Sequence, residues 1–348
     1  MDTLELLRLA TRAPSADNSQ PWAFTQQGDT LTCHYAHPGN FRDPFGPTGH
    51  ASLLAAGTLH ENLDLITDGH VESRLDGSND HMPWQLTLCP ADVSLPSTEL
   101  CRRIEGRHTN RHPFGKRTTV PLPECPAAPG VRIITCTESP RIHALGDALQ
   151  LCSRARFNQP ELHEWLFTSL RWNDEDIAAG DGLDINTLHL PPGGQHFMRW
   201  IKPWRRMEML NRLGVDRIMS IADTVMVKQA PIVIALCGSN GAQDVWNAGR
   251  TLQRLWLALN EAGLAVHPYY AVTDLGNRRR AGSLLPGWAA SVQRGEEICA
   301  DTLGLARGEY VHMLLRVGPA RHPAVRARRR PPQRFLSPGA GRQSATAS

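Results

Sequence analysis

An internal repeat constrains the fold of this chain more than any other feature of its sequence. The segments "AAGTLHENLDLITDGHV" and "GRTLQRLWLALNEAGLAV" both have helical apolar spacing, reach a glycine and continue into a short strand. At an offset of 194 residues, Leu63 aligns with Leu257 and Gly69 aligns with Gly263. Helices that end in glycine are common, so this match alone is weak. Together with a length of 348 residues, it predicts a fused duplication.

The segments around the repeat predict the fold class. Strand-like patterns occur at "TLTCHYA", "MPWQLTLCP", "GVRIITCTES" and "YVHMLLRVGPA", and helical spacing separates many of them. Because most strands lie in hairpin-like sequence, we expect an α+β fold in which helices pack on sheets. We expect a first half at 1–100 and a second half at 101–335. The tail at 336–348, "LSPGAGRQSATAS", has little to bury and is expected to be disordered.

Composition excludes several classes of protein. Hydrophobic residues make up 41% of the chain, which is enough for a core, and no apolar run approaches the ~20 residues that span a bilayer. The segment "MDTLELLRLA" begins acidic and lacks the pattern of a signal peptide. Eight cysteines are scattered without a CxxC pair, as is typical of reduced packing residues. We therefore expect a cytoplasmic protein that has no membrane partner.

Charge and motifs exclude further functions. The net charge is only +3, and the basic segment "RHPAVRARRRPPQRF" lacks interleaved aromatic residues, so no nucleic-acid partner is expected. The chain has no GxGxxG after a strand, no P-loop, no GxSxG and no HExxH. His108 and His112 are four residues apart, but Pro113 would end their helix. We expect surface histidines there, no metal site and no hydrolytic triad.

Three segments are candidates for binding an anion or a polar ring. The loop "APSADNSQPWAF" carries Pro14, Ser15 and Asn18, whose polar groups can hydrogen-bond to a ligand. The alternative is a simple helix-to-strand turn that places Trp22 in the core. The basic segment near the C-terminus, which includes Arg326, offers guanidinium groups suited to phosphate.

The third candidate is "GRHTNRHPF", at the end of a helix expected to stop before Pro113. As extended chain, it would point Arg107, Thr109 and Arg111 to the same side, where they could hold a phosphate. The alternative is a solvated basic turn. Spacing alone favours the solvated turn.

Together these segments resemble the FMN-dependent nitroreductase family. "APSADNSQPWAF" resembles the PSxxNxQPW loop of that family, and "RHTNRHPF" resembles its Arg-x-Ser/Thr-x-Arg segment, which binds phosphate. "LWLALNEAGLAVHPYYAVTDL" resembles its central helix and following strand, and "LLRVGPARHPAVRARRRP" resembles its closing strand and basic C-terminal segment. The resemblance touches most of the chain except 180–225 and the last dozen residues.

The order of these motifs departs from the family. The Arg-x-Ser/Thr-x-Arg segment normally precedes the PSxxNxQPW loop, whereas here it follows some ninety residues later. The order resembles that of the Acg-type subfamily, in which two subunits are fused into an intramolecular pseudo-dimer. The resemblance implies a nitroreductase-like fold, a monomer that could associate further, and one composite FMN site.

The resemblance also implies roles for individual residues. The first half would contact the flavin ring or ribityl chain, the second half would hold the phosphate and ring edge, and the C-terminal arginines would close over the phosphate. Two further residues would lie beside the isoalloxazine. No acid–base catalytic residue is then required. The implied FMN-binding residues are Pro14, Ser15, Asn18, Arg107, Thr109, Arg111, Tyr270, Ala271, Arg328 and Arg329.

Two functions follow from this resemblance. The first is an FMN-dependent oxidoreductase that passes hydride from NAD(P)H, or another donor, to a small-molecule substrate. The second is a flavin-binding or flavin-sequestering protein with little turnover. The segment 180–225 distinguishes them, because we expect it to form a lid whose Met198, Trp200, Trp204 and Met207 cover the cleft. The alternative is an ordinary helix packed outside the sheet.

Overall fold

The computed structural model describes residues 1–37, 44–76, 82–115 and 121–337. It confirms the expected α+β class, because helices and mostly antiparallel strands form a mixed architecture. The helices of the described residues are α1 (Thr3–Ala10), α2 (His50–Thr67), α3 (Thr98–Gly106), α4 (Ser139–Arg156), α5 (Pro160–Ser169), α6 (Asp174–Ala178), α7 (Gly194–Ile201), α8 (Trp204–Arg212), α9 (Val215–Lys228), α10 (Ala242–Glu261), α11 (Ala271–Arg280) and α12 (Ala289–Leu303). The strands are β1 (Trp22–Gln27), β2 (Thr30–Tyr35), β3 (Glu72–Leu75), β4 (Trp84–Leu88), β5 (Val131–Cys136), β6 (Leu170–Arg171), β7 (Leu183–Asp184), β8 (Ile232–Gly238), β9 (Leu264–Tyr269), β10 (Tyr310–Pro319) and β11 (Leu336–Ser337).

Two main sheets divide the chain. The first has the strand order β11-β1-β2-β4-β3, and the second has the order β5-β8-β10-β9 with antiparallel pairing throughout. Strand β8 is buried along its whole length because its two faces contribute to different cores. Ile234 belongs to the large core shared with α2 and α10, whereas Val233 and Ala235 belong to the core beneath α4, α11 and α12. This double burial explains the uninterrupted apolar run "IVIALC".

Helices α2 and α10 cross at two glycines that allow their backbones to touch. A Cβ atom on Gly57 would lie 2.1 Å from the carbonyl oxygen of Trp246. Reciprocally, a Cβ atom on Gly249 would lie 2.1 Å from the carbonyl oxygen of Leu54. Gly57 and Gly249 are 192 residues apart, and so are Leu54 and Trp246, the residues whose carbonyl oxygens they meet. The contact of Gly57 with α10 is therefore repeated by the contact of Gly249 with α2. This reciprocity relates the two helices by an approximate local twofold axis at their crossing.

The repeat in the sequence matches this pair of helices only at their ends. Helices α2 and α10 end at Thr67 and Glu261, which are 194 residues apart as the repeat predicts. They begin at His50 and Ala242, which are 192 residues apart. Helix α10 is therefore two residues longer than α2. The two extra residues lie between Gly249, at the crossing, and Gly263, which follows the helix.

The C-terminal arm, residues 320–337, returns to the first half. After β10 it crosses the molecule, and β11 pairs in parallel with β1, with Phe24 opposite Leu336. Phe335 is buried in the large core. Leu336 and Ser337 of the expected disordered tail therefore form a strand, while the remainder of that tail lies outside the described residues.

No helix in the described ranges has the length and apolar composition needed to cross a membrane. Each of the eight cysteines is free, and five of them are buried.

Candidate functional site

A cavity of about 330 Å³ lies where the two halves, the C-terminal arm and the segment 180–225 meet. This volume is within the range of small-ligand sites. Arg328 does not line the cavity, since its side chain is exposed and only its carbonyl oxygen faces inward to accept a hydrogen bond. The other nine residues singled out from the sequence do line it: Pro14, Ser15, Asn18, Arg107, Thr109, Arg111, Tyr270, Ala271 and Arg329. Their contact with FMN stays a prediction.

The opening loop has a strained but well-fixed backbone. Asp17, Asn18 and Gln20 have positive φ angles of 46°, 58° and 53°, which are uncommon for residues other than glycine. The Ser15 Oγ accepts a hydrogen bond from the Gln20 N–H at 2.9 Å. Trp22, only 2% exposed, enters the core at the start of β1. The loop therefore does both things considered from the sequence, since it buries the tryptophan and presents polar residues to the cavity.

Asn18 joins three segments that are distant in sequence. Its Nδ2 lies 3.3 Å, 3.1 Å and 3.0 Å from the carbonyl oxygens of Gly180, Gly182 and Arg328. Gln20 adds a hydrogen bond from Nε2 to the Gly180 oxygen at 3.0 Å. Gly180 is required here, because its φ is +78° and a Cβ atom would lie 2.2 Å from the carbonyl oxygen of Arg329. The amide hydrogens of Asn18 thus hold the site together, and its buried Oδ1 has no hydrogen-bond partner among the described residues.

Residues 107–111 run as extended chain beside β9. Helix α3 ends at Gly106, so the expected continuation of this helix to Pro113 is wrong. The backbone of His108 is fixed by Asn260 Oδ1 and by Trp256 Nε1, each at 3.0 Å. The Asn110 N–H donates to Val266 of β9 at 2.9 Å. These bonds attach His108 and Asn110 to the scaffold, and Arg107, Thr109 and Arg111 line the cavity together with His108.

Three arginines converge at one end of the cavity. Arg107 is only 6% exposed, and its Nη2 donates to the Arg12 carbonyl oxygen at 3.1 Å. Arg329 donates to the same oxygen at 3.4 Å. Within the described residues, no carboxylate forms an ion pair with Arg12, Arg107 or Arg329. The Nε atoms of Arg107 and Arg329 are also buried without a partner. Arg12, which the sequence analysis missed, directly precedes the opening loop.

Burial and mutual repulsion disfavour the charged forms of these arginines. Burial, followed by the charges of Arg329 and Arg12, holds the pKa of Arg107 well below its ordinary value. Burial, followed by Arg12, lowers the pKa of Arg329 to about 9. Buried cations without counterions are costly, so this end of the cavity is suited to a dianionic group such as phosphate.

A chain of three polar side chains begins at the cavity wall. Tyr270 lines the cavity, and its hydroxyl lies 2.9 Å from His50 Nδ1. His50 Nε2 lies 3.0 Å from His312 Nδ1. Burial lowers the pKa of His50 to about 3 and that of His312 to about 4, so both rings are neutral at pH 7. When His50 donates to the Tyr270 oxygen, the hydroxyl hydrogen is free to bond a ligand in the cavity.

Only part of the segment 180–225 reaches the cavity. Leu183, Thr187 and Asp223 line it, whereas Met198, Trp200, Trp204 and Met207 do not. Both methionines are buried in a separate small core with side chains of α5 and β6, Trp204 packs against that core, and Trp200 is 44% exposed. The expectation that these four side chains face the cleft is therefore wrong, because α5 supplies a nearer apolar surface. The lid itself stays a prediction. Within the described ranges, no group of three or more His, Cys, Asp or Glu residues could hold a metal ion.

Comparisons with known proteins give remote similarities. No protein-family profile matches the chain. Over 335 residues, or 92% of this chain, it is 26% identical to "Uncharacterized protein MT1398" of Mycobacterium tuberculosis (strain CDC 1551 / Oshkosh). The chain spans 46% of the length of that relative.

Solved structures similar to this chain include two nitroreductases. The FMN and NADPH-dependent nitroreductase NfnB from "sphigopyxis sp. strain HMH" is 18% identical, with a TM-score of 0.33 over 65% of this chain and 93% of that one. The FMN-dependent nitroreductase NfnB from Mycobacterium smegmatis, in complex with NADPH, is 17% identical, with a TM-score of 0.33 over 63% of this chain and 86% of that one.

Proposed function

We propose that the cavity binds one FMN and that the protein is a flavin oxidoreductase, which passes hydride from NAD(P)H or another donor to a small-molecule substrate. The observation that carries this proposal is the group of guanidiniums without carboxylate partners at one end of the cavity, where Arg107 is buried and Arg12 and Arg329 are half-buried. The other walls carry apolar side chains of α2 and α10, among them Leu54, Ala55 and Leu252, suited to a planar ring. Bound FMN would supply the redox chemistry.

Each part of the chain then has a separate task in binding. Arg107, Arg329 and Arg12 would neutralise the phosphate, and Thr109 and Arg111 would follow the cofactor from the same extended segment. The side chain of Arg328 is exposed, so we assign it no contact. We assign the remaining contacts from the residues that line the cavity. Pro14, Ser15 and the Oδ1 of Asn18 would contact FMN from the opening loop, and Tyr270 and Ala271 would contact it from the start of α11.

We further propose that the chain is an intramolecular pseudo-dimer that retains one of two symmetry-related sites. The glycine crossing of α2 and α10 supplies the axis. The opening loop, the 107–111 segment and the C-terminal arm each occur once in the described chain, and all of them meet at the same cavity. Association of the chain with itself is not required to complete the site.

The purified protein is expected to carry about one FMN per chain, bound without a covalent link. Flavin released by heat is quantified by absorbance against protein concentration. A value near two would contradict the retention of a single site, and a protein that neither carries nor rebinds FMN would contradict the proposal. Addition of NADPH without oxygen then tests the donor through bleaching of the flavin spectrum.

Arg107→Met is expected to weaken FMN binding without destabilising the cofactor-free protein. Loss of a charge-assisted hydrogen bond costs roughly 1.5–3 kcal/mol, which is about a ten- to hundred-fold loss of affinity. Methionine retains an apolar stem over Trp256, whose ring lies 4.7 Å from the guanidinium. Because the folded state disfavours this buried charge, the melting temperature of the cofactor-free variant should equal or exceed that of the parent.

Arg328→Met is the matched control, since it removes the same charge from an exposed side chain on the same arm. Its affinity for FMN should change by less than about threefold, as is usual for a screened surface charge. Equal losses in the two variants would point to nonspecific charge attraction. Unchanged affinity in Arg107→Met would remove the phosphate assignment.

A further inference from the structure

Exposed apolar side chains are concentrated in one stretch of the chain, the helices α7–α9. Ten large hydrophobic residues are exposed in the described ranges, and six of these lie between residues 197 and 221. Leu213 and Ile218 are 77% and 68% exposed, which is extreme for apolar side chains. The six define what we term the α7–α9 surface: Phe197, Trp200, Met209, Leu213, Ile218 and Ile221.

The spacing of these residues shows that they form faces of helices. Phe197 and Trp200 are three residues apart on α7, and Ile218 and Ile221 are three apart on α9, so each pair projects from one side of its helix. Met198, Ile201 and Met207 of α7 and α8 are instead buried in the small core. Helices α7 and α8 therefore have apolar side chains that anchor them to the protein and others that are exposed.

Basic residues lie among these exposed apolar residues along the chain. Residues 194–221 include six basic residues and two acidic ones. Of the acidic residues, Asp216 is buried and pairs with Arg154 at 2.7 Å. The other, Glu208, pairs with Arg212 at 3.0 Å. Arg206 also lies over the Trp200 ring, with its guanidinium carbon 5.6 Å from the ring centre. The six basic residues are all exposed: Arg199, Lys202, Arg205, Arg206, Arg212 and Arg217.

We propose that the α7–α9 surface docks on a membrane that contains anionic phospholipids. Short helices with exposed tryptophan, phenylalanine and isoleucine beside arginine and lysine lie in the interface plane of a bilayer, with the apolar side chains among the acyl chains. The cations meet the negative headgroups. This binding mode requires no spanning helix. It revises the expectation from composition that the protein has no membrane partner, and it does not depend on FMN.

The charge of the surface favours this partner over two others. A second copy of the chain, bound through the same surface about a twofold axis, would place the same excess of positive charge against itself. A nucleic acid would match the charge but would leave six large apolar side chains without a partner. An anionic bilayer satisfies the apolar and the basic residues at once.

The test is sedimentation of the full chain with vesicles of phosphatidylcholine alone and of phosphatidylcholine mixed with phosphatidylglycerol. The parent should bind the mixed vesicles, with a binding that weakens as salt is added. Arg205→Gln combined with Arg217→Gln should lower the partition coefficient about fivefold for each charge removed. Leu213→Gln combined with Ile218→Gln should also abolish most of the binding, because the apolar anchor is lost.

Two matched controls carry the same changes elsewhere on the surface. Leu95→Gln replaces an apolar residue that is 79% exposed, and Arg307→Gln replaces an exposed arginine. Both controls should bind as the parent does, and thermal melting checks that each variant is folded. The proposal is overturned when the parent ignores anionic vesicles at low salt, or when variants and controls bind equally. It is also overturned when light scattering shows a dimer that Ile218→Gln dissociates, or when duplex DNA displaces the protein from the vesicles.

Discussion

Gly249→Ala is expected to lower the free energy of unfolding by about 3 kcal/mol, the upper end of the usual cost of overpacking. The new methyl group would lie 2.1 Å from the carbonyl oxygen of Leu54, a backbone atom that cannot rotate away. Helices α2 and α10 must therefore separate. Gly57→Ala should cost a similar amount, because its methyl group would meet the carbonyl oxygen of Trp246 at the same distance. Urea unfolding followed by circular dichroism measures both effects.

The double variant distinguishes a shared crossing from two separate clashes. Once either methyl group has pushed the helices apart, the second meets less resistance, so the combined loss should fall well short of the sum. Gly106→Ala is the control. Gly106 ends α3 with no atom within 4 Å of the added Cβ and with a φ angle open to alanine, so a gain of up to about 1 kcal/mol is expected. Additive losses at Gly57 and Gly249 would contradict the reciprocal contact.

The same crossing forms part of the cavity wall. Leu54 and Ala55 of α2, and Leu252 and Trp256 of α10, line the cavity on either side of the glycines. Separation of the helices should therefore weaken FMN binding as well as stability. This effect differs from that of Arg107→Met, which is expected to affect binding alone.

Stability is expected to fall as the pH drops from 7 to 5. Trp246 Nε1 donates to His60 Nδ1 at 2.9 Å, so this nitrogen must be free of a proton. Burial, followed by the charge of Arg250, lowers the pKa of His60 to about 3, compared with 6.5 in an unfolded chain. At a pH between these two pKa values, His60 therefore binds a proton in the unfolded state but not in the native state. The stabilisation is complete above pH 6.5 and is lost progressively below it, by about 2 kcal/mol at pH 5.

His60→Gln tests this origin, since the glutamine oxygen can accept the Trp246 hydrogen bond without taking up a proton. The slope of unfolding free energy against pH should decrease by about one proton between pH 5 and 6. His196→Gln, an exposed position on α7, should keep the slope of the parent. His50 and His312 supply further dependence of the same sign, because both of their pKa values are lowered. An unchanged slope in His60→Gln would assign the acid sensitivity to other groups, among them His50, His312 and His267, whose pKa values burial also lowers.

Local signals in the sequence were sufficient for much of the site. The prediction that Arg107, Thr109 and Arg111 point to the same side required only that their segment be extended. The segment can be extended because α3 ends at Gly106. The repeat located α2 and α10 because glycine follows both helices. It could not locate the crossing at Gly57 and Gly249, because the sequence does not show which residues of another helix pack against a glycine inside a helix.

Other parts of the site depend on contacts between distant segments. His50, Tyr270 and His312 share no motif, and only the packing of α2 against α11 and β10 brings them together. Arg12 belongs to none of the motifs recognised in the sequence, and only the fold brings it to Arg107 and Arg329. Met198 and Met207 were placed in the cleft because their partners in α5 could not be identified by periodicity alone.

The pairing of β11 with β1 constrains the order in which parts of the fold can form during synthesis of the chain. Phe24 leaves the ribosome 312 residues before its partner Leu336. At about 5–20 residues per second, that interval is roughly 15–60 s. Throughout it the outer edge of the first sheet is unpaired and open to other chains. Arg329 precedes Leu336 by seven residues, so the arginine cluster also stays incomplete until most of this interval has passed.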